Sequence, residues 1–142
     1  MIVTAPNLIA STDSAVEVLE VEPGERSLLR LVAQEHPPFL PYYESPTSGT
    51  TLCSVQHAGV FAGGVLLERE PAAAESDRDA ALAALFITGN QRNRGLGSAA
   101  IVAVSRLLLS EGYERVLALW VWSVQMYERL GFEFWRTRSV DR

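Results

Sequence analysis

The segment Thr88-Gly89-Asn90-Gln91-Arg92-Asn93-Arg94-Gly95-Leu96-Gly97-Ser98 combines two arginines and three glycines between an apolar run and a helical pattern. The first N–H groups of a helix lack internal acceptors and lie at the positive end of its dipole. A glycine-opened helix start beside Arg92 and Arg94 therefore suits a pyrophosphate, which glycine allows to approach closely. A P-loop is excluded, because that motif needs lysine before Ser or Thr and Gly97-Ser98-Ala99 has none. Gly95, Gly97 and Ala100 satisfy the dinucleotide pattern G-x-G-x-x-A. That fold, however, puts its first glycine directly after a strand and an acid at the end of the next one. Here seven residues separate Ile87 from Gly95, and the following strand ends in Trp120-Val121-Trp122-Ser123 without a carboxylate.

The elements that would carry this loop follow from periodicity. Residues 16–21 alternate as a half-buried strand, and Leu28, Leu29, Leu31 and Val32 recur at helical spacing over 25–35 until His36-Pro37-Pro38. Residues 1–14 read as an irregular lead and 37–49 as a proline-stiffened loop holding Tyr42-Tyr43. Two strands over 50–56 and 60–68 join at His57-Ala58-Gly59, with Gly63-Gly64 marking a bulge. Residues 81–87 form an apolar run fit for a strand buried on both faces. A helix over 98–110 ends at Gly112, a strand covers 116–122, a short helix runs from Ser123 to Gly131, and a last strand covers 132–140. The expected class is α/β, a mixed sheet with helices on it in one domain over 1–142.

Composition narrows the function. A chain of 142 residues with 48% hydrophobic and 20% charged residues fits one domain able to bury a core without disulfides or metal. One cysteine and two histidines supply no zinc site, so no metal is expected. The net charge of −5 argues against a general nucleic-acid binder. No apolar run is long enough to span a bilayer, and residues 1–10 lack the pattern of a signal peptide, so a cytoplasmic protein is expected. Residues 1–90 carry four arginines and twelve acids, whereas 91–142 carry eight arginines and five acids. An anionic ligand favours the second half and a cationic one the first. All 12 basic side chains are arginine, which removes lysine as a nucleophile.

Residues 85–134 resemble the GNAT superfamily of N-acetyltransferases. Its acyl-CoA loop, R/Q-x-x-G-x-G/A, is matched by Arg92, Gly95 and Gly97, and its Y-E-x-L-G-F segment by Tyr127-Glu128-Arg129-Leu130-Gly131-Phe132. The resemblance implies a sheet splayed open beside residues 81–87, with the pantetheine arm of acetyl-CoA on main-chain groups of Phe86, Ile87 and Thr88. It implies a diphosphate held by Arg92, Asn93, Arg94, Gly95, Leu96, Gly97 and Ser98. A primary amine of a small molecule or peptide then attacks the thioester directly, the amide near Ile87 steadies the oxyanion, and Tyr127 protonates the departing thiolate. Glu35, Glu44, Glu68, Glu70 and Asp79 supply negative charge for the amine.

The chain departs from the family pattern in four places. No carboxylate lies within 81–87, so Glu68, Glu70, Glu35 and His36 are the candidate bases, and an amine arriving neutral needs none. Trp120 and Ser123 stand where the family commonly has asparagine and alanine, leaving Tyr127 open between proton donor and packed core residue. Ten residues follow Phe132, which suggests a shortened C-terminal strand region and a homodimer paired through its edge. A non-catalytic acyl-CoA-binding or dimerisation module of the same fold fits these departures as an alternative.

Overall fold

Eight of the nine residues of Asp79–Ile87 are Ala, Leu, Phe or Ile, so the segment has no polar face to offer water; the computed structural model buries it as the central strand β5. The structure describes residues 1–4, 7–9, 16–47, 49–89, 95–119, 121 and 123–134. The other strands are β1 (Ile2–Val3), β2 (Val16–Glu20), β3 (Thr50–His57), β4 (Val60–Glu68) and β6 (Arg115–Ala118). They form one mixed sheet in the order β1-β6-β5-β4-β3-β2. β5 and β6 are parallel and the remaining neighbours antiparallel. A parallel pair needs a crossover, supplied here by α3 (Leu96–Ser110).

Helices cover both faces. On one, α1 (Arg26–Glu35) and α2 (Leu40–Glu44) bury Leu28, Val32 and Tyr43 against Leu52, Leu66 and Phe86. The Glu25 carboxylate caps α1 by accepting from Ser27 N at 2.7 Å. On the other face, Ile101, Val104 and Leu108 of α3, at helical spacing, pack on Val55, Leu67 and Leu82. They are joined by Tyr127 of α4 (Val124–Arg129). Each such side chain contributes roughly 1.5–3 kcal/mol on burial, which fixes the register of a strand sandwiched on both sides.

The alternation along β5 slips once. Ala80 and Leu82 face α3, but Ala83, Ala84 and Phe86 all join the cluster beneath α1 and α2. Two successive residues on one face are the mark of a bulge, and the β4–β5 register shifts between Gly64 and Leu66, with Ala84 in the left-handed region at φ 53. Gly63 is required here, since a Cβ would run into the Phe86 carbonyl.

Two expectations need correction. Residues 37–49 are not all loop: Pro37–Phe39 forms a 3-10 turn that leads into α2, because Pro37, Pro38 and Pro41 sit where the first turn of a helix has no N–H bond to lose. The lead at 1–14 contains β1, whose Ile2 and Val3 pair with Leu117 and Val116 and bury Val3 against the core. Ile2 also bridges Glu133, so the N-terminal segment lies between β6 and residues 132–134. Of the strand expected over 132–140, residues 135–140 lie outside the described residues.

Candidate active site

The pairing of β5 with β6 stops halfway. It runs from Asp79 beside Arg115 to Leu82 beside Ala118, followed by one bond from Leu119 N to Leu82 O at 3.1 Å. β5 continues to Ile87, and among the described residues nothing of β6 follows it. The near end is clamped. Arg115 Nε and Nη2 donate to Asp79 Oδ1 and Oδ2, each at 2.7 Å, and these bonds hold the Asp79 carboxyl below its ordinary value. Pinned at one end and bulged at Ala84, the sheet has no further β5–β6 strand pair beyond Ala118 among the described residues, in keeping with the splayed arrangement expected from the sequence.

Peptide orientation in the opening follows from one bond. Thr88 N donates to Ala62 O at 2.8 Å, making those residues a hydrogen-bonded pair across β4. By antiparallel alternation Phe86 also turns its peptide toward β4, and Ile87 turns its own the other way. Of the three pantetheine residues expected, Ile87 thus turns its peptide away from β4, while Phe86 and Thr88 are buried, Phe86 opposite Gly64 and Thr88 bonded to Ala62.

α3 begins at the mouth of the same gap. Gly95 adopts φ 74, which ends the preceding loop and starts the helix, and the first helical bond runs from Ala99 N to Gly95 O at 3.0 Å. The amides of Leu96, Gly97 and Ser98 find no acceptor among the described residues, and no acid occupies the first turn. Three such donors at the positive end of a 15-residue helix have the geometry and charge to receive an anion. A Cβ on Gly97 would meet Ile87 Cγ1 and Met126 Sδ at 3.8 Å, so α3, the end of β5 and α4 converge there. Arg92, Asn93 and Arg94 lie outside the described residues, as do Trp120 and Trp122.

Tyr127 follows Met126 on α4, which Ser123 caps by accepting from Met126 N at 3.3 Å. Its ring is buried edge-on to Phe132, centroids 5.2 Å apart, and its hydroxyl bonds to no described residue. Burial raises its phenol above the ordinary value, keeping it protonated. Glu35 also belongs here: Oε1 accepts from Gly89 N at 2.7 Å. His36 stacks on Phe39 at 4.0 Å. Glu68 and Glu70 do not belong. Glu68 pairs with Ala81, six residues before Ile87 and therefore roughly 20 Å away along the strand. Asp79 is committed to Arg115 and is not available to an amine.

Tyr43, expected in the proline-stiffened loop, lies instead on α2. It is fully buried, and its hydroxyl donates to Ala84 O, the carbonyl of the bulge, at 2.7 Å. The signal was the Tyr42-Tyr43 pair: on a helix its members point apart, and Tyr42 is 51% exposed.

Residues 16–132 match the Acetyltransferase (GNAT) family. No curated protein matches the chain. Among solved structures, the GCN5-related glucosamine N-acetyltransferase region of a fungal multi-domain GH3 β-N-acetylglucosaminidase aligns with 95% of the chain at TM-score 0.78 and 16% identity. A GCN5-related N-acetyltransferase from Kribbella flavida aligns with 93% at TM-score 0.63 and 17% identity. The chain spans 19% of the first of these and 52% of the second. An aminoglycoside N-acetyltransferase in complex with CoA aligns with 92% at TM-score 0.61 and 19% identity, and is itself covered over its full length. At these identities the likeness shows the fold.

Proposed function

This chain belongs to the GNAT family of acetyltransferases, and from that premise we propose that it moves the acetyl group of acetyl-CoA to a primary amine of a small molecule or peptide. The observation that carries the reading is that the β5–β6 pairing ends at Leu82 and Ala118 while α3 starts beside the end of β5 with the amides of Leu96, Gly97 and Ser98 bonded to no acceptor among the described residues. A long, flexible thioester with a diphosphate at one end fits that pair of features. The co-substrate supplies an activated acetyl group and a thiolate leaving group. The α3 amides hold its diphosphate, with Arg92, Asn93, Arg94 and Gly95 of the preceding loop. The β5 segment Phe86, Ile87 and Thr88 lines the path of the pantetheine arm, and the peptides turned into the gap polarise the thioester carbonyl.

Tyr127 is the proton donor to the thiolate in this reading. Its phenol stays protonated, and it belongs to the core cluster against which Ile87 and Met126 pack. No residue is assigned as base. The charge division supports the arrangement, since the arginine-rich half carries the loop and the acid-rich half faces an incoming amine. Likeness to an aminoglycoside N-acetyltransferase supports a small-molecule amine. We place the protein in the cytoplasm; among the described residues no helix is long and apolar enough to cross a membrane. A homodimer through the C-terminal strand region belongs to the same proposal.

The absence of any carboxylate on β5 beyond Asp79 and the packing of Tyr127 on Phe132 favour a second reading, a non-catalytic acyl-CoA-binding or dimerisation module. Thiol release from acetyl-CoA across a panel of primary amines separates them. Amine-dependent release establishes the enzyme; CoA binding without turnover on any amine leaves the module.

A further inference from the structure

We propose that Tyr43 is a positioning residue for this transfer: its hydroxyl holds the bulged peptide of Ala84 and so fixes which way the peptides of residues 85–87 face. The proposal rests on the reading that the gap beside β5 receives acetyl-CoA. Tyr43 lies 41 residues from Ala84 in sequence, and their 2.7 Å bond is wholly buried. Its ring meets Phe86 edge-on at 5.8 Å, and its Cε2 stands 3.1 Å from where a Cβ on Gly64 would be. A single phenol therefore ties α2 to both strands of the bulge. Burial pushes that phenol well above its ordinary value, so it donates at any pH the protein survives.

Ala84 needs such a tie. At φ 53 an L residue is disfavoured, and Ala84 has no partner in the β4–β5 register to compensate. The bulge nevertheless decides the geometry of the gap. It shifts the alternation by one, so that Phe86 falls opposite Gly64, Thr88 bonds to Ala62 of β4, and Ile87 between them turns its peptide away from β4. Without the hydroxyl, the Ala84 carbonyl is left buried and short of its donor. Rotation of that peptide relieves the missing bond and the unfavourable φ together, and it undoes the alternation beyond.

The test uses Tyr43→Phe, which keeps the ring and removes only the hydroxyl, with and without Ala84→Gly. In Tyr43→Phe the Phe86 and Thr88 amides should exchange with solvent at least about tenfold faster relative to amides of α3, and kcat/KM for acetyl-CoA should fall about tenfold. Glycine adopts positive φ freely, so the double variant should regain both properties to within about threefold of Ala84→Gly alone. A residue that merely fills space predicts no such recovery. Unchanged exchange in Tyr43→Phe, or losses that Ala84→Gly does not restore, overturns the proposal. If Tyr43→Phe does not fold, folding of the double variant supports the proposal and its failure to fold overturns it. A wild-type protein that protects both amides yet neither binds CoA nor transfers acetyl groups defeats the functional reading instead.

Discussion

The carboxylate of Glu35 and the amide of Gly89 are joined by a 2.7 Å hydrogen bond, which fastens the last turn of α1 to the residue after Thr88. Fifty-four positions of sequence separate the two. The helix on one face of the sheet thus holds the start of the loop that leads to the anion site on the other. Glu35→Ala removes that tie and should raise the KM for acetyl-CoA about fivefold with little change in kcat, as expected for loss of one exposed hydrogen bond worth about 1 kcal/mol. Glu35→Gln keeps an acceptor oxygen and should stay within about twofold of wild type. Were Glu35 the base, the Gln variant would instead lower kcat and remove the acidic limb of the pH profile; steady-state kinetics of both variants against pH distinguish the cases.

Placing a carboxylate in the first turn of α3 sets two effects against each other. Ser98→Asp complements the helix dipole and should stabilise the protein by about 0.3–1 kcal/mol, because that turn contains no acid. The same charge repels a diphosphate at the amides of Leu96, Gly97 and Ser98, so CoA affinity should fall at least about tenfold. Thermal unfolding and titration calorimetry then move in opposite directions. A stabilised variant that binds CoA as tightly as wild type places the diphosphate elsewhere.

The clamp that pins the closed end of the gap makes its own pH signature. Asp79 is fully buried as a side chain, and Arg115 holds its carboxyl below the ordinary value. A depressed folded pKa contributes stability that is complete above the unfolded value near 3.9 and disappears as the pH falls through the lower folded value. Asp79→Asn should therefore cost roughly 3 kcal/mol at neutral pH, toward the lower end for a broken buried pair because Arg115 is partly exposed. Its stability should also decline less steeply than that of wild type below about pH 4. Urea unfolding between acidic and neutral pH measures both. Parallel pH curves for the two proteins would remove Asp79 as the origin of acid sensitivity.

Much of this arrangement was legible in the order of residues, for identifiable reasons. Leu28, Val32, Ile101, Val104 and Leu108 repeat at helical spacing, so the faces of α1 and α3 could be read directly. The turn at Ala58 and Gly59, both with positive φ, announced the hairpin. The start of α3 was legible because Gly95, which takes φ 74 there, stands directly before an apolar helical run. The bulge was signalled on β4 by Gly63-Gly64, which stand at the register shift, but its place on β5 was not, because residues 80–87 are apolar on both faces and a slip of one position leaves no trace in such a run. β1 escaped notice because two residues carry no periodicity, and it is its neighbours Val116 and Leu117 that make Ile2 and Val3 a strand. Proline-rich residues 37–41 read as loop by composition, whereas their prolines fall in first turns where helices accept them.

Tyr127 carries the chemistry in the catalytic reading, and its surroundings allow a clean substitution. Tyr127→Phe keeps the edge-on contact with Phe132 at 5.2 Å, and its hydroxyl bonds to no described residue, so stability should change by less than about 0.5 kcal/mol. If the phenol protonates the thiolate, kcat should fall about 10²- to 10⁴-fold while the affinity for CoA stays the same. Burial raises this phenol, so wild-type activity should show no loss from its ionisation up to pH 10, the ordinary tyrosine value, and should fail only above it. Pre-steady-state thiol release and CoA titration measure the two parameters separately. A phenylalanine variant with wild-type turnover would assign the residue to the core it packs in, and would move the search for the proton donor to solvent in the gap.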